Sequence, residues 1–137
     1  MYNIFICDDD DECLKRIKEK LEYILLKNRI FASIDSYTSA KNMIFDVQGQ
    51  DLSTAIFFID IVMPSISGIE AAKIIRKMNI ESQIIFLTSS KKYVFEALEI
   101  MPLHYLIKQE VNDFKIESVL LKAIKICRNK NNNFFLL

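Results

Sequence analysis

Four consecutive aspartates, Asp8 to Asp11, follow an apolar run near the N-terminus, and a fifth, Asp60, ends a second run, Phe57-Phe58-Ile59. Thr88 and Lys108 close two further runs of the same kind. Carboxylates brought together repel, by about 4 kcal/mol for a pair ~4 Å apart at an effective dielectric of ~20. Such a group calls for a hard divalent cation with oxygen ligands. Magnesium keeps several waters and uses one or two carboxylates plus phosphate oxygens, which suits an open site of this kind. With the ion bound, an aspartate can attack phosphorus as a carboxylate nucleophile and form an acyl phosphate. Lys108 is the cation that would offset charge on the phosphoryl oxygens, and Thr88 the hydroxyl donor.

These residues reach one place only if the elements before them are strands of one sheet. Apolar runs of strand length occur at Tyr2–Cys7, Ile30–Ile34, Ala55–Ile59, Gln83–Leu87 and Leu103–Ile107, rich in Ile, Phe or Tyr, as strands buried on both faces require. Between them lie helical patterns. Leu14, Ile17, Leu21, Ile24 and Leu25 step by three or four with Lys15, Lys18, Glu19 and Glu22 opposite, and Ile116, Val119, Leu120, Ala123, Ile124 and Cys127 repeat the pattern. Weaker versions span 39–48, 68–78 and 91–98. The order βαβαβαβαβα predicts a doubly wound α/β fold with a parallel sheet and helices on both faces. Sites in such sheets lie at the carboxyl ends of the strands, where Asp8, Asp9, Asp60, Thr88 and Lys108 stand.

The chain has 137 residues, 51% of them hydrophobic and 26% charged, which predicts one soluble core. Its 18 basic residues balance 18 acidic ones, so the positive field that non-specific nucleic-acid binding needs is absent. Cys7, Cys13 and Cys127 are odd in number and sit in apolar patterns, reading as reduced thiols rather than as a disulfide or zinc framework. No apolar run has the length of a membrane span and no signal peptide is visible, so a cytoplasmic protein without membrane association is expected. The Asn/Lys stretch 129–133 reads as a connector. The apolar Phe134 to Leu137 after it lead to the expectation that 129–137 are a linker and the start of a truncated second domain.

The segment Phe57-Phe58-Ile59-Asp60-Ile61-Val62-Met63-Pro64-Ser65-Ile66-Ser67-Gly68 resembles the phosphoacceptor motif of response regulator receiver domains, in which a strand-ending Asp is followed by Met-Pro and then Gly. The acidic pair Asp8-Asp9, the Thr88-Ser89 turn, Tyr105 and Lys108 agree with it, each after its own strand. Five landmarks in order are a specific signal, and the resemblance covers a domain at 1–128. It implies a flavodoxin-like, three-layer fold of five strands in order 2-1-3-4-5 and five helices. Asp60 would then be the phosphoacceptor, Asp9 a direct ligand of Mg2+, Asp8 a direct or water-mediated one, and the Val62 backbone carbonyl a further ligand. Lys108 would pair with a phosphoryl oxygen, Thr88 would swing toward another, and the small Ser89 would leave room for the group. Tyr105 would change rotamer with Thr88, so that the surface of the fourth helix, fifth strand and fifth helix, a homodimer face in this reading, changes on phosphorylation.

The partner implied is a sensor histidine kinase, and the domain would be a stoichiometric phosphoryl acceptor rather than a turnover enzyme. The Phe-Ile-Cys-Asp-Asp start and the Thr-Ser turn resemble receivers attached to LytTR-type DNA-binding domains, so DNA would be reached only through such an output domain. One position departs from the family. Gln109 stands where proline commonly follows the lysine, which predicts either a trans bond with a rearranged loop or a cis bond costing about 2.5 to 4 kcal/mol.

Other readings compete for the same residues. Asp10 or Asp11 suits a helix N-cap. His104, the single histidine, reads as a packed or surface imidazole. A receiver-like module that works without phosphorylation would keep the same pocket. A haloacid dehalogenase-type phosphohydrolase wants an aspartate where Val62 stands, and four aspartates would repel a flavin phosphate.

Overall fold

The computed structural model describes the backbone of residues 1–136 and the side chains of residues 1–130. Ten elements alternate along it: β1 (Tyr2–Cys7), α1 (Asp11–Lys27), β2 (Ala32–Tyr37), α2 (Ala40–Val47), β3 (Ala55–Ile59), α3 (Gly68–Met78), β4 (Gln83–Thr88), α4 (Val94–Leu98), β5 (His104–Ile107) and α5 (Asp113–Leu136). The strands form one parallel sheet in the order β2-β1-β3-β4-β5, as expected.

Alternation along each strand divides the core in two. Phe5, Cys7, Phe57, Ile59, Ile84 and Phe86 pack with α2, α3 and α4, and Phe5 stacks on Phe57 at 5.0 Å between ring centroids. Ile4, Ile6, Ile56, Phe58, Ile85 and Leu106 pack on the other face with Leu14, Leu21 and Leu25 of α1 and Val119, Leu120 and Ile124 of α5. Both faces are apolar, which is why the strands read as continuous apolar runs rather than alternating ones.

Register then sets the site. Cys7 pairs with Ile59 and Thr88 with Ile107, so Asp8 and Asp60 leave adjacent strands together and Lys108 leaves beside Thr88. The amide of Asp60 donates to the Cys7 carbonyl and that of Lys108 to the Thr88 carbonyl, both at 2.9 Å.

Three boundaries differ from expectation. The second strand starts two residues late and runs to Tyr37, because Arg29 is left-handed (φ 57°) and the Ile30 amide closes the turn on the Leu25 carbonyl at 2.9 Å. Ile30 and Phe31 therefore belong to the connection between that turn and the strand. The fourth helix is only Val94–Leu98, residues 91–93 being a turn before it. Finally, α5 continues through 129–133, so the stretch expected as a connector is helical.

Candidate functional site

The loop after β1 is shaped by its own aspartates. Asp8 Oδ1 accepts from the Asp10 amide at 2.9 Å, turning the chain over the strand end. Asp10 then caps α1, its carboxylate accepting from the Glu12 and Cys13 amides at 3.0 and 3.2 Å. Of the two candidates for that cap, Asp10 takes it, and these amides hold its carboxyl below the usual range.

Asp60 is 7% exposed and Asp8 5% exposed, whereas Asp9 is exposed. These three can each present an oxygen within 4.8 Å of the others. Lys108 reaches into the group, its Nζ lying 2.6 Å from Asp8 Oδ2 and 3.1 Å from Asp60 Oδ2. One ammonium among three carboxylates leaves the site acidic. Burial pushes the Asp8 carboxyl up against the pull of Lys108 and the Asp10 amide, with Asp60 adding to the push. Burial works against the Lys108 ammonium too, but Asp8 and Asp60 outweigh it and hold its pKa above the ordinary value.

One oxygen in this cluster has no partner. Asp60 Oδ1 is buried and accepts no hydrogen bond, a state that costs roughly 1–3 kcal/mol or more when the group is charged. A hard cation would supply what it lacks, and the all-oxygen donor set fits Mg2+ rather than a soft metal. Beneath it, the Cys7 thiol is pushed to about 12 by burial and by Asp8, Asp60 and Asp9, so it stays protonated and offers no thiolate ligand. Its Sγ lies 3.7 Å from Met63 Sδ.

The loop after β3 is held by Gly68, whose amide donates to the Ile61 carbonyl at 2.8 Å. A Cβ at this position would stand 2.1 Å from the Asp60 carbonyl oxygen, so the close approach requires glycine. Sequence alone gave Gly68 a role in the motif but no reason for it. Val62 sits in this loop with its side chain 55% exposed, leaving only its main chain to serve the site.

Across the sheet edge, Thr88 is fully buried, and its Oγ1 lies 3.5 Å from the Ser90 amide. The Tyr105 hydroxyl donates to the Ser90 carbonyl, tying β5 to the β4–α4 loop. The Lys108–Gln109 bond is trans, and Lys108 still reaches both aspartates. His104 is half-buried within β5, accepting the Tyr105 amide on Nδ1 at 3.1 Å, away from the acidic cluster in the hydrogen bonds it makes. A residue with no sequence signal is Arg76. Its guanidinium donates to the carbonyls of Ile100 (2.9 Å), Ile80 (3.1 Å), Met101 (3.0 Å) and Ser82. All four partners are backbone atoms of loops, which side-chain types do not reveal.

Sheet order, acidic cluster and opposed lysine together define a class, and the family model for the response regulator receiver domain matches residues 4–120. The chain belongs to that family. Among curated proteins it is similar to the sensory transduction protein LytT of Bacillus subtilis, 29% identical over 120 residues, which are 88% of this chain and 48% of that protein. The chain thus spans about half the length of the curated relative it matches. Solved structures agree in fold: a CheY-like receiver from Methanospirillum hungatei has a TM-score of 0.80 at 18% identity, covering 95% of this chain and 98% of that one. The response regulator TrrA from Thermotoga maritima, solved with Mg2+ and BeF, has a TM-score of 0.75 at 24% identity, covering 90% and 99%.

Proposed function

We propose that this receiver takes a phosphoryl group onto Asp60 from a phosphohistidine of a sensor histidine kinase, with Mg2+ held by Asp8, Asp9, Asp60 and the Val62 carbonyl. The observation that carries the reading is the buried, partnerless Asp60 Oδ1 beside two further carboxylates. In transfer, a carboxylate oxygen of Asp60 bonds to phosphorus as the P–N bond breaks. The imidazole leaves with the electron pair and takes a proton from solvent. Bound Mg2+ would supply positive charge to the carboxylates and to the phosphoryl oxygens.

The chain's own groups do the rest. Lys108 exchanges its bond to Asp60 Oδ2 for one to a phosphoryl oxygen, and the Thr88 hydroxyl turns from the Ser90 amide to another. Two charge-assisted hydrogen bonds of roughly 1.5–3 kcal/mol each approach the ~5.5 kcal/mol needed to move a two-state element from 1:99 to 99:1. That element is α4, β5 and α5, with Tyr105 as the link. Phe95 and Leu98, 84% and 58% exposed and three residues apart on α4, would form part of a homodimer face. The domain is a stoichiometric acceptor that speeds its own phosphorylation and hydrolysis, not a turnover enzyme. The likeness to LytT supports a LytTR-type, DNA-binding output, and membership of the receiver family supports a cytoplasmic location.

Acetyl phosphate with Mg2+ tests the reading by intact mass. We expect a gain of one phosphoryl group that hydroxylamine removes, as it does from acyl phosphates. A mass unchanged by acetyl phosphate, together with no response to beryllofluoride, would favour a module that works without phosphorylation.

A further inference from the structure

The β4–β5 ladder ends in a main-chain bond from the Lys108 amide to the Thr88 carbonyl, at 2.9 Å. One residue further along both strands, Gln109 Nε2 donates to the Ser89 carbonyl at 3.2 Å. A side chain thereby extends strand pairing by one step, past the point where the backbones part. The bond joins the neighbours of two phosphoryl-binding groups: Gln109 follows Lys108, and Ser89 follows Thr88. Two more ties flank it, the Tyr105 hydroxyl to the Ser90 carbonyl and Lys91 Nζ to Glu110 Oε1 at 2.9 Å.

We propose that Gln109 is a positioning residue for phosphoryl binding, holding the Thr88-Ser89 turn against Lys108 through its bond to the Ser89 carbonyl. The inference rests on the phosphoryl-acceptor reading above and adds a part that the family's proline, with no side-chain donor, has no means to play. An ordered turn matters because affinity falls by the fraction of molecules in which the binding groups are misplaced. Gln109 and Ser89 are both exposed, so neither is needed to fill the core.

The test compares the wild-type protein with Gln109→Ala and Gln109→Glu, the latter similar in size but facing a carbonyl with a carboxylate. Hydrogen exchange in metal-free protein reads the turn directly: the amides of Ser90 and Lys92, which donate to Thr88 Oγ1 and Ser90 Oγ, are expected to exchange faster in both variants. Beryllofluoride affinity at saturating Mg2+ should fall roughly threefold to tenfold, the range for losing one neutral hydrogen bond. Mg2+ affinity alone should stay within about twofold, since Gln109 does not touch the acidic cluster. Gln109→Arg, which keeps N–H donors, should recover part of the loss. Variants indistinguishable from wild type, or an equal fall in Mg2+ affinity, would overturn the proposal while leaving Asp60 as acceptor. Failure of the wild-type protein to bind beryllofluoride with Mg2+ would overturn both.

Discussion

Two helices that follow site-bearing strands, α1 after β1 and α4 after β4, are built in opposite ways. The first runs 17 residues, is capped by Asp10, and buries five apolar side chains; Lys20 and Lys27 pair with Asp113 and Glu117 of α5 at 2.9 and 3.3 Å. The second runs five residues with no side-chain cap, and buries only Ala97. Arg76 holds the carbonyls of Ile100 and Met101 just after its C-terminus, while its N-terminal end is reached mainly through the β4–α4 loop. The contrast separates two tasks at one sheet edge. The acidic cluster rests on the well-anchored half, and the hydroxyl and tyrosine ties rest beside a short helix with little to hold it. An element of low local stability is what a switch requires.

The largest expected effect is the removal of the acceptor. Asp60→Asn should abolish labelling by acetyl phosphate completely, and the beryllofluoride-induced change in hydrogen exchange, expected over 89–107 in the wild type, should vanish with it. Change concentrated instead in α1 would reverse the assignment of the moving half. Packing gives the next contrast. Leu21→Ala, at a fully buried position of α1, should cost about 2–5 kcal/mol in urea unfolding. Leu98→Ala on α4 should stay within about 0.5 kcal/mol. Similar costs at the two sites would erase the distinction.

Between these lies Arg76→Ala, which removes a charged donor from four carbonyls and should cost roughly 1.5–3 kcal/mol. Faster amide exchange confined to 99–103 would locate the loss at the anchored end of α4; no change there would show that α4 is held otherwise.

The smallest effect concerns pH. Because the folded Asp8 carboxyl lies above its ordinary value of 3.8, the folded state binds that proton more tightly than the unfolded one does. This contribution favours folding below the ordinary value and is lost as pH rises through the folded one, opposite to Asp10, whose lowered value favours folding at higher pH. Metal-free Asp8→Asn should therefore lose less stability than wild type as pH rises across that window. An identical slope in both proteins would remove Asp8 as the source.

Much of this was legible in the sequence. Strands β1 and β3 lie where their apolar runs placed them, and Asp8, Asp60, Thr88 and Lys108 stand at strand ends because topology leaves them nowhere else. The edge strand was displaced because apolar content stood in for burial, and β2 is only half covered; Phe31 is apolar yet 86% exposed in the connection before the strand. The ties from Arg76 and Gln109 were not legible, since their acceptors are carbonyls that every residue carries.

Position 68 shows how narrow such tolerances are. With the Asp60 carbonyl filling the space a methyl group would need, a saturation library selected for folded protein should return nearly one residue there, while the exposed Glu70 and Lys73 of the same helix accept many. Anyone grafting this loop onto another scaffold must carry that glycine with it, whatever else is recoded.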